Sequence, residues 1–214
     1  MITTVLFDIG DVFFFKDKQK SDEVLRRHGV TEDNLREIKH SDAWKSYKKG
    51  DLTEEEGMAL IKPLFPETYT ENPRELFHDL SCSKTLNSAL VPLAYKLKEK
   101  YRIAVLSNSN SFLEERLEEF QLMPLFEFVI NSYRVRMKKP DEEIFKLAIE
   151  RLGEEPESVL FVDDKERNTD TAKRLGFQVH TFTDTETFKN DLLDQGWLTP
   201  EEAETGSSTP LNQM

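Results

Sequence analysis

Cysteine is almost missing from this chain. Cys82 is the only one, so no intrachain disulfide can staple the fold, as befits a reducing compartment. Positive charge is also short: 29 Lys and Arg face 41 Asp and Glu, a formal net charge of −12. That balance argues against nucleic acid or an anionic membrane as the main partner. It leaves a phosphorylated ligand open, because a phosphate pocket depends on local donors rather than on the overall sign. No uninterrupted apolar run approaches the roughly 18 residues of a membrane span. The N-terminus has no basic start and carries Asp8 and Asp11 within its apolar stretch, which is not how a signal peptide reads. The expectation is an acidic, soluble, cytoplasmic protein, monomeric or homodimeric, long enough to bury a real core.

What is present begins with Val5-Leu6-Phe7-Asp8-Ile9-Gly10-Asp11. The apolar run suits a strand buried on both faces of a parallel sheet. An unpaired carboxylate inside such a strand is costly, so Asp8 belongs at its carboxyl end, where open α/β sheets place their ligands. Gly10 lets the backbone bend there.

From Lys16 the chain turns charged and helix-prone. Gly29 and Gly50 end short helices, Thr31 caps one, Thr53 with Glu56 forms a capping-box pattern, and Asn72-Pro73 opens another. Residues 16–84 thus read as a small bundle of four or five helices without a strand, inserted into an α/β core made of residues 1–15 and 85–198. In that core, helices over 90–100, 112–120 and 166–175 alternate with strands over 101–106, 126–130, 159–162 and 177–182, and Pro140 starts a further helix. Residues 199–214, with Gly206, Ser207, Ser208 and Pro210, read as a disordered tail. Strands alternating with helices predict a doubly wound, Rossmann-like parallel sheet with its helical insert after the first strand.

In such a sheet one edge gathers Asp8, Ser107-Asn108, Lys139 and Asp163-Asp164, each following a strand or preceding a helix. Carboxylates converging there repel one another unless a cation sits between them, and hard oxygen ligands suit Mg2+. A carboxylate beside that metal can attack phosphorus and form an acyl phosphate. Ser107, Asn108 and nearby amides are suited to phosphate oxygens, and Lys139 supplies a point charge.

These stretches resemble the four ordered motifs of the haloacid dehalogenase-like hydrolase superfamily. Asp8 matches the nucleophile, Ser107 the second-motif hydroxyl, Lys139 (as Lys139-Pro140) the lysine, and Phe161-Val162-Asp163-Asp164 with Asn168 the acidic fourth motif. The helical insert lies where that family carries its substrate-selecting cap. Within the family the chain is most similar to the sugar-phosphate phosphatases of the α-D-glucose-1-phosphate phosphatase type. The resemblance implies a Mg2+-dependent phosphatase of a small phosphorylated metabolite, with metal on Asp8, the Gly10 carbonyl and Asp164. Asp163 is implied to orient Lys139, and Asn168 to assist.

One position departs. Most phosphatases of the superfamily carry an acid/base aspartate two residues after the nucleophile, where this chain has Gly10. The sugar-phosphate branch shares that glycine, and Asp11 is the nearest substitute. The departure admits a second reading, a catalytically idle phosphate- or partner-binding protein. A 2-haloacid dehalogenase is a third, disfavoured by the paired acids at 163 and 164. Trp44 and Tyr47, one helical turn apart, are candidates to face a sugar ring, against a competing reading as core. Lys48, Lys49 and Asp51 read as a solvated turn.

Overall fold

Side-chain alternation along the strands builds two cores. The structure, a computed structural model, describes residues 1–204. Its main sheet contains β1 (Thr4–Phe7), β4 (Arg102–Ser107), β5 (Val129–Asn131), β6 (Val159–Asp163) and β7 (Gln178–Thr181), all parallel, in the order β5-β4-β1-β6-β7. Val5, Phe7, Ile103, Val105, Leu160 and Val162 point to one face, and Leu6, Ala104, Leu106, Val159 and Phe161 to the other. The first face is covered by α6 (Leu90–Lys98), α7 (Leu113–Glu119) and α11 (Thr185–Asp194). The second is covered by α9 (Glu142–Leu152) and α10 (Glu166–Arg174). Burial on both faces explains why these strands read as continuous apolar runs.

The insert is α1 (Lys18–Arg27), α2 (Glu32–His40), α3 (Asp42–Lys49), α4 (Glu54–Ile61) and α5 (Pro73–Cys82). Thr31, Thr53 and Asn72 accept hydrogen bonds from backbone amides in the first turns of α2, α4 and α5. The bundle has its own apolar cluster around Ile38, Tyr47, Ile61 and Leu76, into which Phe112 of the α/β part inserts. It is bracketed by a two-stranded antiparallel ribbon, β2 (Phe14–Phe15) with β3 (Thr85–Leu86), which the sequence reading does not anticipate.

Three expectations need correction. The strand expected over 126–130 is confined to Val129–Asn131, because Met123–Leu125 forms a 3₁₀ turn that delays the chain's entry into the sheet. The helix expected at Pro140 starts two residues later, with Asp141 preceding its first turn. The tail is ordered further than expected: Pro200–Glu204 is a helix, α12, held where Thr199 and Glu202 cap one another and Glu202 pairs with Lys100 at 3.0 Å. The rest of that expected tail, 205–214, lies outside the described residues. Also unanticipated are α11 and a single turn, α8 (Ser132–Val135). No described helix is long and apolar enough to cross a membrane.

Candidate active site

Register brings the polar residues to one edge. Phe7 is level with Val105 on one side and Val162 on the other, so Asp8 follows β1 level with Leu106 and Asp163. Its amide donates to the Val162 carbonyl at 2.8 Å, which keeps Asp8 in the sheet for one more residue. The chain then turns. Phe13 and Phe14 both donate to the Ile9 carbonyl, and Asp11 donates to Phe14 at 2.9 Å, leaving the Gly10 carbonyl out of these bonds. Asp11 sits in the left-handed region at φ 57°, which aspartate tolerates better than most residues. A Cβ at Gly10 would meet nothing closer than Asp8 Oδ2 at 3.9 Å.

Lys139 is the hub. Its ammonium lies 2.6 Å from Asp163 Oδ2, 2.9 Å from Asp8 Oδ1 and 2.7 Å from the Leu106 carbonyl, with the Phe161 ring centroid at 5.4 Å. Both Lys139 and Asp163 are buried. Asp163 Oδ1 accepts from the Lys165 amide at 2.9 Å and from Asn168 Nδ2 at 2.8 Å, while Oδ2 accepts from Lys139 alone. Asn108 clasps the Lys139 peptide from the loop after β4: Nδ2 donates to the Lys139 carbonyl, and Oδ1 accepts from the Lys139 amide, each at 2.8 Å. Its side chain therefore holds the Lys139 peptide, leaving one Nδ2 hydrogen and its backbone amide for an oxyanion. Ser107 ends β4 beside Asn131 and is 2% exposed.

The acidic side suits a hard cation. Asp8, Asp163 and Asp164 each offer a carboxylate oxygen, all within 4.8 Å of one another. Asp8 Oδ1 and Asn168 Oδ1 are buried and accept no hydrogen bond; for Asp8 Oδ1, the lysine contact is an ion pair off the hydrogen-bond angle. Burial, reinforced by the charges of Asp8 and Asp163, raises the Asp164 carboxyl above its ordinary value even though Lys165 lies 3.2 Å away. A divalent cation would relieve that crowding. Asp8, Asp163 and Asp164 could each give it a carboxylate oxygen, and Asp163 already holds Lys139 through Oδ2.

The two aromatic candidates separate. Tyr47 is fully buried, its ring tilted against Trp44 and Tyr133, with its hydroxyl 2.7 Å from Ser111. Desolvation pushes that phenol up to about 12. It faces packing and not a ligand, because α3 turns it toward the α/β part. Trp44 packs on Phe77 in the same cluster, ring centroids 4.3 Å apart, and also lines a cavity of about 540 Å³ between α3 and the loops after β4 and β5. Lys48, Lys49 and Asp51, read as a solvated turn, lie on that same wall.

A family profile for haloacid dehalogenase-like hydrolases matches residues 2–176. The D-ribitol-5-phosphate phosphatase of Bacteroides thetaiotaomicron is 25% identical over 188 residues, covering 83% of this chain and 90% of that protein. Drimenol cyclase drtB of Aspergillus calidoustus is 28% identical over 187 residues, 83% of this chain, but the chain spans only 33% of its length. A bifunctional epoxide hydrolase 2 of Sus scrofa is likewise matched over only 24% of its length. Among solved structures, a HAD family enzyme of B. thetaiotaomicron in a magnesium complex superposes with a TM-score of 0.74 at 26% identity, over 89% of this chain and 98% of that one. The same enzyme with magnesium and inorganic phosphate gives 0.72 at 26% identity, over 86% and 96%. With a matching profile over most of its length, and the sheet and helices to go with it, this chain belongs to the haloacid dehalogenase-like hydrolase family.

Proposed function

We propose that the chain is a magnesium-dependent phosphatase of a small phosphorylated metabolite, a sugar phosphate among the candidates, acting through an aspartyl phosphate on Asp8. The observation that carries this reading is the buried ammonium of Lys139, held between Asp163 and Asp8 and fixed by Asn108. The magnesium and phosphate complexes of the B. thetaiotaomicron enzyme, and the phosphatase named among the relatives, support it.

Asp8 attacks phosphorus through one carboxylate oxygen, and the ester P–O bond breaks with its electron pair leaving on the organic oxygen. Lys139 offsets negative charge on Asp8 and the phosphoryl oxygens, while the Ser107 hydroxyl and the Asn108 amide hold the other oxygens. Asp163 positions the lysine, and Asn168 holds Asp163. Magnesium, when held by Asp8, Asp164 and the Gly10 carbonyl, supplies Lewis-acid neutralisation of phosphoryl charge. Water then attacks phosphorus, returning the Asp8 carboxylate and releasing phosphate. No carboxylic acid stands at position 10 to protonate the leaving oxygen, so that proton comes from solvent, a substrate hydroxyl or Asp11.

Gly10 favours one alternative, a protein that binds phosphate without turning it over. Phosphate release from p-nitrophenyl phosphate and a sugar-phosphate panel, with magnesium and with EDTA, separates the two. Magnesium-dependent release is expected; phosphate binding by folded protein without release would replace the enzyme by the binder.

A further inference from the structure

The cavity beside Lys139 inverts the charge of the molecule. Of its lining residues, Lys45, Lys48, Lys49, Arg136 and Lys138 are cationic, against Asp51 and Asp141. The whole chain has the opposite excess, 41 acids to 29 bases, so this concentration is local. Lys45 pairs with Asp42 at 3.5 Å, whereas the other four have no ion-pair partner among the described residues. The walls are fixed to one another. Gly50 ends α3 at φ 77°, and a Cβ there would come within 2.4 Å of the Tyr133 carbonyl and 3.2 Å of Arg136 Cγ. Only glycine allows α3 to approach α8 so closely, and that approach sets the width of the cavity.

Two more cations, Lys84 and Arg116, lie outside the cavity wall. Lys84 feels the charges of Arg116, Asp11, Lys48 and Asp8. Burial, then Arg116, pushes the Lys84 ammonium down to about 8. Arg116 on α7 is 3% exposed, and its Nε has no partner. Its Nη1 reaches Ser81 Oγ at 3.2 Å, and its guanidinium lies 4.9 Å from the Phe14 ring centroid, but no carboxylate pairs with it. A buried cation left with an unused donor is costly unless an anion arrives to meet the charge around it. Lys84 thus lies within electrostatic reach both of Lys48 on the cavity wall and of Asp8.

We infer that this cavity binds a second anionic group of the substrate, so that the preferred class is a phosphomonoester whose organic part also carries a phosphate or a carboxylate. The inference rests on the phosphatase reading for the first phosphate, and on the cavity alone for the second group. Asn108 couples the two, since it lines the cavity and holds the Lys139 peptide.

Calorimetric titration of the full chain carrying Asp8→Asn, with magnesium, tests it without turnover. The probes are glucose 6-phosphate, fructose 1,6-bisphosphate and 6-phosphogluconate. The bisphosphate, the phosphogluconate or both should bind at least about tenfold more tightly than glucose 6-phosphate, as expected for one added charge-assisted contact. Which of them gains identifies the second group. Adding Lys48→Met and Arg136→Met should bring the three within about threefold of each other. Equal affinities in the Asp8→Asn protein, or a preference that survives the two added substitutions, would overturn the inference. Release of p-nitrophenol by the unmodified protein reports separately on the phosphatase reading, because that substrate has no second anion.

Discussion

Asn108 and Lys139 exchange two hydrogen bonds of 2.8 Å, the amide side chain of one pairing with the peptide of the other. The pairing ties the loop after β4 to the loop before α9 and points the lysine at Asp8. Asn108→Ala should leave the peptide unpaired and let the ammonium drift. Misplacement on the scale of an ångström costs roughly 100-fold in rate. We expect kcat/KM to fall by about 10- to 100-fold, with most of the loss in kcat, while the circular dichroism spectrum stays that of the parent.

Lys139 is also structural. Removing it strands the Asp8 and Asp163 carboxylates, which are 4% and 0% exposed. Lys139→Met should therefore lower stability by about 3–5 kcal/mol at neutral pH, the usual cost of breaking one side of a buried pair. Urea unfolding measures this, and a loss below about 1 kcal/mol would show that the pair is not sealed from water.

Lys84 makes the cleft sensitive to alkali. Its ammonium is held down to about 8, by burial first and then by Arg116 and Lys48, against the opposing pull of Asp11 and Asp8. Below that pH it is charged and contributes to anion binding; above it the charge is lost. For an anionic substrate kcat/KM should fall as pH rises through about 8, and Lys84→Met should flatten that limb. The stability sign is the reverse: the unfolded lysine titrates near 10.4, so between about 8 and 10.4 the unfolded chain holds more protons and stability rises with pH. Thermal unfolding against pH in the two proteins checks this second effect.

Gly10 is not imposed by space, since a Cβ there would have 3.9 Å to its nearest neighbour and the backbone is not left-handed. The absent carboxylic acid should make rates depend steeply on leaving-group pKa. Gly10→Asp should raise turnover of poor leaving groups, such as simple alkyl phosphates, toward the 10²- to 10⁴-fold typical of general acid catalysis, with little gain on p-nitrophenyl phosphate. Equal gains on both would place the effect elsewhere.

These expectations show which parts of the fold local chemistry reveals. Thr31, Thr53, Asn72 and Gly50 mark helix ends through bonds made within a few residues, so they can be read directly. Strands buried on both faces announce themselves as apolar runs, and a carboxylate that ends one must sit at the sheet edge. The β2–β3 ribbon pairs two residues with two others some seventy positions away, which no local pattern encodes. Tyr47 and Trp44 share helical spacing, yet one packs against Tyr133 and the other lines the cavity, a difference set by how α3 meets α8. The pairing of Asn108 with the Lys139 peptide, and the gathering of Lys48 on α3 with Arg136 and Lys138 around one cavity, arise from segments that meet only in three dimensions.

Replacing the proposed nucleophile, Asp8→Asn, is the sharpest experiment on this site. The substitution keeps the size of the side chain and removes the attacking charge. With magnesium and p-nitrophenyl phosphate, the variant should fold like the parent and its turnover should drop to background. Turnover equal to that of the parent protein would contradict the account and require a different attacking group.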